Sequence, residues 1–457
     1  MEASAGSAPT LADRLAAPFL RFLAIEAAST LLLLAATAIA LVWANSRWAE
    51  SYVQLWHTPL AISLGAGRLE LTLEQWVNEG LMALFFFLVG MEIKHEIVHG
   101  ELSSRERALL PVFGALGGML APAGLYLAFH AGGPAAAGWG VPVATDIAFA
   151  VAALALLGAR VPSGLKVFLL ALAIVDDLGA VLVIALFYSH GLSWPGLGAT
   201  AAALLLVVAL QRSGVRSLSV YWIVGVAVWL ATLDSGIHAT VAGVLLGFLT
   251  PTTRALPGRS LGGSARALFE RLLDRIDDGK EERAPRAEER LRMAPELREI
   301  SREAVSPLER LTGALHPWSA FFVMPIFALA NAGVPIDARS LGDPLGRRVS
   351  LAVALGLLIG KPLGIGGASW LAVRLGLAAL PSGVGWGSLF GAGALGGIGF
   401  TMALFVTGLA FQDPALAAAS KLGVMAASLG ASGMGLAVLQ RTLRPGPARD
   451  ARAPTPG

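Results

Sequence analysis

The chain has 457 residues, of which 55% are hydrophobic and 14% charged, and its formal net charge is +3. A soluble domain carries about 25% charged residues, so this composition indicates a protein whose solvent is largely lipid. The absence of cysteine excludes disulfides, thiol nucleophiles and cysteine-ligated metal sites. No basic stripe with interleaved aromatic residues is present, so no nucleic-acid partner is expected.

Apolar segments long enough to cross a bilayer predict an all-α polytopic membrane protein of about twelve helices. The predicted spans are 20–44, 76–98, 108–130, 142–158, 166–188, 197–211, 219–233, 237–250, 317–334, 349–374, 387–411 and 414–440. Residues 1–19 form a charged tail rather than a cleavable signal, because the first apolar run is too long for one. Two membrane portions follow, 20–250 with about eight helices and 313–440 with about four.

Basic residues concentrate in the loops on one side of these spans. They are Arg105, Arg107, Arg160, Lys166, Arg212 and Arg216, together with Arg441, Arg444, Arg449 and Arg452 in the tail 441–457. The opposite loops 131–141 and 189–196 contain no lysine or arginine. The positive-inside rule therefore predicts that both termini are cytoplasmic.

Two loops are long. Within 45–75, the alternating stretch AISLGAGRLELTL predicts a small periplasmic β-hairpin, with a plain loop as the alternative. An isolated hairpin is marginally stable, so this one is expected to pack on something, such as a second protomer. The cytoplasmic loop 251–312 holds thirteen Lys/Arg and twelve Asp/Glu. Its helical spacing predicts a charged surface linker, and a regulatory or docking element is the alternative.

Two spans are interrupted. VPVATDIAFA, residues 141–150, combines Pro142, Thr145 and Asp146 within an apolar run. GAGALGGIGFTMALF, residues 391–405, places five glycines before Phe400. Both predict broken helices, whose free ends leave partial charges facing each other. Paired interruptions in two halves are typical of a transport site at the midplane. Close helix packing through small residues is the alternative for the glycines, although it does not explain Asp146.

Asp176 and Asp177 are adjacent within the apolar run 167–188. A charged side chain at that depth is costly and by default marks an ion path or a proton relay. Neighbouring helical positions point about 100° apart, so one carboxylate can face a cavity and the other a neighbouring helix. A solvated loop is the alternative, but apolar residues flank the pair on both sides.

Lys361 is the only basic residue deep in its span. A buried ammonium requires a carboxylate partner, and Asp176 or Asp177 are the candidates. Lys361 and Asp146 could also balance the broken-helix ends. A lysine that reaches out to the membrane surface is the alternative.

Other ionisable residues lie nearer the ends of the spans. They are Glu79, Glu92, Lys94, His95, Glu96, His238 and His316. Taken alone, each histidine favours a hydrogen-bonded structural role. No zinc-ligand spacing, P-loop or GxSxG motif occurs, and no metal, ATP or organic cofactor is predicted.

These motifs resemble the NhaA family of sodium/proton antiporters over roughly residues 18 to 445. The matching stretches are VNEGLMALFFFLVGMEIKHEI, ATDIAFA, ALAIVDDLGA, SGIHATVAGV, LHPW, FALANAGV, IGKPLGI and GGIGFTM. The resemblance implies inverted repeats with two broken, crossing helices. It also implies a homodimer contact at the 45–75 hairpin.

The resemblance assigns a role to each matched residue. It places Thr145 and Asp146 at the helix crossing, makes Asp176 and Asp177 the ion- and proton-binding carboxylates, and makes Lys361 the partner of Asp176. Asp177 is then the direct Na+ ligand. The residues implied in the response to pH are Glu92, Glu96, His238 and His316.

Three positions depart from the family pattern. Thr312 and Gly313 stand where an acidic residue and a histidine are expected, and Asp234 stands where a lysine is expected. The linker is also longer than expected. These departures concern the pH set-point and leave the exchange site intact.

The sequence therefore predicts an electrogenic, pH-regulated antiporter of the cell inner membrane, not an enzyme, that exports Na+ or Li+ against incoming H+ by alternating access. A proton-coupled carrier of another solute is the alternative within transport, followed by a cation channel. An intramembrane aspartyl enzyme is the alternative in a different class, and no peptide-cleavage motif supports it.

Overall fold

The computed structural model of the chain describes residues 11–65, 67–189, 191–215, 217–253, 305–335 and 343–443. Among these described residues, nine α-helices of more than one turn lie in the first part of the chain, up to residue 253, and seven lie in the second part, from residue 305. In the first part they are α1 (Leu11–Ala44), α2 (Ala49–His57), α3 (Met82–Val98), α4 (Arg105–His130), α5 (Ile147–Ala155), α6 (Ser163–Phe187), α7 (Trp194–Arg212), α8 (Leu218–Asp234) and α9 (Thr240–Leu249). In the second they are α10 (Pro307–Trp318), α11 (Met324–Asn331), α12 (Pro344–Leu355), α13 (Lys361–Arg374), α14 (Trp386–Leu395), α15 (Phe400–Ala410) and α16 (Pro414–Thr442).

Among the described residues, seven helical stretches are long and apolar enough to cross a membrane, and nine if each of two bent pairs counts as one. Each of the twelve predicted spans overlaps a helical segment. The chain is therefore a mostly helical, multi-pass membrane protein.

Several helix starts have the local signals that the sequence carries. A capping side chain accepts a backbone N–H, and proline occupies the first or second helical position, after Ser193, Ser306, Asp343 and Asp413. The predicted linker 251–312 lies largely outside the described residues. Its last part forms the start of α10 at Pro307, and α1 likewise begins at Leu11, within the predicted tail.

The two strands of the predicted hairpin are confirmed, and its periplasmic location stays a prediction. Strands β1 (Pro59–Leu64) and β2 (Gly67–Thr72) pair antiparallel, with Ile62 opposite Leu69. Helix α2 precedes it and was not predicted. It turns 113° away from α1 and buries Tyr52 and Trp56, which lie four residues apart on one face.

Both predicted helix interruptions are present. A 3-10 segment, Ala136–Val143, leads through extended residues to α5, and α14 is separated from α15 by residues 396–399 with a 50° bend. The two breaks meet, because the backbone N–H of Asp146 donates to the carbonyl of Ile398 at 2.6 Å.

In the parts of the chain that the structure describes, three helical stretches contain π turns, Trp76–Leu81, Ser319–Val323 and Gly356–Gly360. The last runs directly into Lys361. Helix α13 packs on α4 backbone to backbone: a Cβ added to Gly364 would lie 2.1 Å from the carbonyl oxygen of Gly117. Glycine at this crossing allows the two helices to approach closely.

Candidate functional site at the crossing of the broken helices

Asp146 lies at the start of two helices at once. Its carboxylate accepts the N–H of Phe149 at 3.2 Å in α5 and the N–H of Thr401 at 3.1 Å in α15. The Thr401 hydroxyl also donates to it. The partial positive charge of a helix N-terminus favours an anion, so both half-helices stabilise this carboxylate. The side chain is 2% exposed.

Thr145 fixes the other side of the crossing. Its hydroxyl donates to the carbonyl oxygen of Gly396 at 2.8 Å. The glycines allow this approach: a Cβ on Gly397 would lie 2.4 Å from the Leu357 carbonyl oxygen, and one on Gly399 3.1 Å from that of Ala144. The glycines therefore have two roles: they interrupt the helix, and they permit close packing of the neighbouring segments.

Asp176 and Asp177, called here the aspartate pair, lie in the middle of α6 and are 2% and 3% exposed. Lys361 donates from Nζ to Oδ2 of Asp176 at 2.6 Å. Its side chain is fully buried, which excludes a lysine that reaches the membrane surface. The second oxygen of Asp176 is buried and has no hydrogen-bond partner within the described parts of the chain.

Asp177 is buried within electrostatic range of four charged groups. The groups whose charges act on it are Asp176, Glu92, Asp146 and Lys361. The structure therefore brings the aspartate pair, Asp146 and Lys361 into one buried cluster, with Glu92 of α3 close enough to affect it.

The remaining residues of the predicted pH response are distributed. Glu96 accepts the N–H of Glu101 at 2.9 Å and so holds the turn that follows α3. His316 is half-buried in α10, whose Leu308 packs against α3. Of the departing positions, Thr312 has a buried hydroxyl without a hydrogen-bond partner in the described structure, and Gly313 faces open space.

His238 belongs to a separate network at the opposite end of α6. Its Nδ1 lies 3.1 Å from a carboxylate oxygen of Glu79, and its Nε2 lies 3.0 Å from the carbonyl oxygen of Tyr188. The other Glu79 oxygen accepts the N–H of Ala239 at 2.9 Å. Both ring nitrogens face acceptors, so only the doubly protonated ring donates to both.

Two side chains at the crossing are not among the predicted site residues. Thr401 donates to Asp146, and Ser428 of α16 accepts the N–H of Phe400 at 3.1 Å. A hydroxyl in the first turn of a broken helix is a weak signal, since threonine also occurs in ordinary membrane helices. No group of three or more histidine, aspartate or glutamate side chains in the described ranges could hold a metal ion.

Comparisons with known proteins identify relatives that match nearly the whole chain. The family model described as Na+/H+ antiporter 1 matches residues 20–439. A protein of Myxococcus xanthus named Na(+)/H(+) antiporter NhaA 2 is 53% identical over 437 residues, covering 94% of this chain and 92% of its own. One of Sorangium cellulosum with the same name is 50% identical, covering 94% and 90%. A Na(+)/H(+) antiporter NhaA of Oleidesulfovibrio alaskensis is 49% identical, covering 96% of each chain.

These relatives are named as transporters rather than enzymes, and the matches run through both broken helices and the aspartate pair. The chain thus belongs to the Na+/H+ antiporter 1 family.

Proposed function

We propose that this protein is a secondary active antiporter that exports Na+ or Li+ across the inner membrane in exchange for incoming protons. The observation that carries the proposal is the charge of the buried cluster. Asp146 and the aspartate pair share one ammonium, that of Lys361, so three negative charges and one positive would leave a net charge of −2. Burial disfavours uncompensated charge, so the cluster requires a cation or protons.

Cation and protons then compete for the same oxygens, which is the basis of exchange. One oxygen of Asp176 is held by Lys361, so we assign the direct cation contact to Asp177. Hard cations prefer oxygen ligands. The Thr145 hydroxyl and backbone carbonyls of the broken helices would complete the shell. Uptake of more than one proton per cation released makes the exchange electrogenic.

Alternating access requires that this site open to one side at a time. The interrupted helices support such a cycle, because their breaks meet at the cluster and can be exposed by small movements of the half-helices. We further propose twelve spans arranged as inverted repeats, cytoplasmic termini, a periplasmic hairpin and a homodimer formed through residues 45–75. A reporter fused after Arg441 that proved periplasmic would contradict this topology.

We also propose that transport is slow at acid pH and activated on the alkaline side, through Glu92, Glu96, His238 and His316. The charge of Glu92 already acts on Asp177, and histidine titrates near neutrality. Neutral substitution of Glu92, Glu96 and His316 together should move the activation midpoint. An unmoved midpoint would place the sensor in the aspartate pair itself.

The deciding experiment is calorimetry of Na+ binding to the purified protein in two buffers of different ionisation enthalpy. Na+ binding should release protons and should weaken as pH falls. The substitution Asp177→Asn should abolish Na+ binding and the accompanying proton release. Asp413→Asn is the matched control, since Asp413 is an exposed helix cap and asparagine caps equally well. Na+ binding that releases no protons, or that survives in Asp177→Asn, would contradict the proposal. Proton flux in inverted vesicles with Na+, Li+ and K+ added in turn then defines the cation preference.

A further inference from the structure

Tyr188 joins the helix of the aspartate pair to the first broken segment. It ends α6 and is 2% exposed. The Tyr188 hydroxyl donates to the carbonyl oxygen of Ala137 at 2.6 Å and accepts the N–H of Gly140 at 3.1 Å. These two backbone groups stand three residues apart, the spacing that a 3-10 turn joins. A single phenol is thus bound to both ends of one turn.

The contact leaves no room for another side chain. A Cβ added to Gly140 would lie 2.5 Å from the Tyr188 hydroxyl and 3.0 Å from its ring. The adjacent residues Trp139 and Phe187 pack edge to face, with ring centroids 5.1 Å apart. Two neighbouring residue pairs therefore hold the broken segment against the end of α6.

The backbone of Tyr188 is anchored as well. Its carbonyl oxygen lies 3.0 Å from His238, which in turn contacts Glu79. The phenol therefore extends from a hydrogen-bonded junction of α6 with two other parts of the chain. These contacts fix the backbone of Tyr188, so its side chain can hold the broken segment in one position.

We propose that Tyr188 is a positioning residue for transport: by holding the turn 137–140 on the end of α6, it sets where Thr145 and Asp146 lie relative to the aspartate pair. This proposal rests on the proposed function of that cluster. Residues 141–143 continue the 3-10 segment, and only the extended residue Ala144 separates it from Thr145, so a displaced turn displaces the crossing. The hydroxyl does not itself contact the cluster, and its effect is transmitted through the backbone.

The test compares Tyr188→Phe with Tyr126→Phe. Tyr126 is equally buried, and within the described structure its hydroxyl forms one hydrogen bond, to the carbonyl oxygen of Ala135, just before the same segment. Loss of the Tyr188 hydroxyl should raise the KM for Na+ about three- to tenfold, the effect of one or two hydrogen bonds, with the maximal rate changed less than about twofold. Tyr126→Phe should leave the KM near that of the wild type. A KM equal to that of the wild type in Tyr188→Phe, or equal changes in both variants, would overturn the proposal.

Hydrogen exchange gives a readout that does not depend on transport. Tyr188→Phe should speed exchange of the Gly140 amide in the peptide 136–146, and Tyr126→Phe should not. Unchanged exchange in Tyr188→Phe would overturn the proposal, as would faster exchange with an unchanged KM. A wild-type protein without Na+-dependent proton flux would overturn the proposed function instead, whereas the exchange result would still decide whether Tyr188 holds the turn.

Discussion

Replacement of Lys361 by methionine removes the one ammonium of the buried cluster while nearly conserving its volume. In the wild type, Nζ of Lys361 lies 2.6 Å from Asp176, and the two side chains are 1% and 3% exposed. The other Asp176 oxygen has no hydrogen-bond partner in the described structure, so Lys361→Met leaves the whole carboxylate uncompensated.

The expected cost follows from this burial. Removal of one partner of a buried ion pair destabilises a protein by about 3–5 kcal/mol, because the remaining charge is left without compensation. The full range applies here, since neither side chain is screened by solvent.

Thermal unfolding in detergent at pH 8, followed by the fluorescence of the eleven tryptophans, measures this effect. Lys361→Met should melt several degrees below the wild type at pH 8. Lys361→Arg should recover part of the loss, because the charge persists while the geometry changes. Lys421→Met is the matched control, a half-buried lysine of α16 outside the cluster. A Lys361→Met protein with wild-type melting at pH 8 would refute the reasoning that Asp176 carries a charge compensated by this lysine.

Three further predictions concern other parts of the fold. Gly364→Ala should lower the melting temperature, since its Cβ would lie 2.1 Å from a backbone oxygen of α4, whereas Gly367→Ala on the same helix meets no atom within 4 Å and should not. Thr401→Val should cost about 1.5–3 kcal/mol in unfolding measurements, because Asp146 loses a hydroxyl donor, and an unchanged stability would show that this bond contributes nothing. Ser63→Cys, in a chain without other cysteines, should cross-link to a dimer in membranes with a bifunctional maleimide, and monomers from every position of the hairpin would contradict dimerisation there.

The buried charges were the most predictable part of the site. A lysine and three aspartates within apolar runs must find one another, and the structure has Lys361 against Asp176 and Asp146 at the crossing of the breaks. Proline and clustered glycines likewise located both interruptions, since each disfavours a continuous helix.

The neutral hydrogen-bonding groups could not be predicted in the same way. Thr401 lies 255 residues from Asp146, and Tyr188 lies 51 residues from Ala137. A hydroxyl at either position can form a hydrogen bond with the backbone of its own helix or form none, so only the three-dimensional arrangement determines its partner. The helix α2 was missed for a related reason, because its buried Tyr52 bonds to Ala330, which is distant along the chain.

The π turn at Gly356–Gly360 sets the direction in which the side chains of the following helix, α13, point around the helix axis. A π turn holds one residue more than an α turn, and each residue of an α-helix rotates the chain by about 100°. Deletion of one residue from this stretch would restore a continuous α-helix with α12. It would also rotate Lys361 and all of α13 by that angle relative to α12. The ammonium would then point away from Asp176, although no side chain of the cluster had been altered.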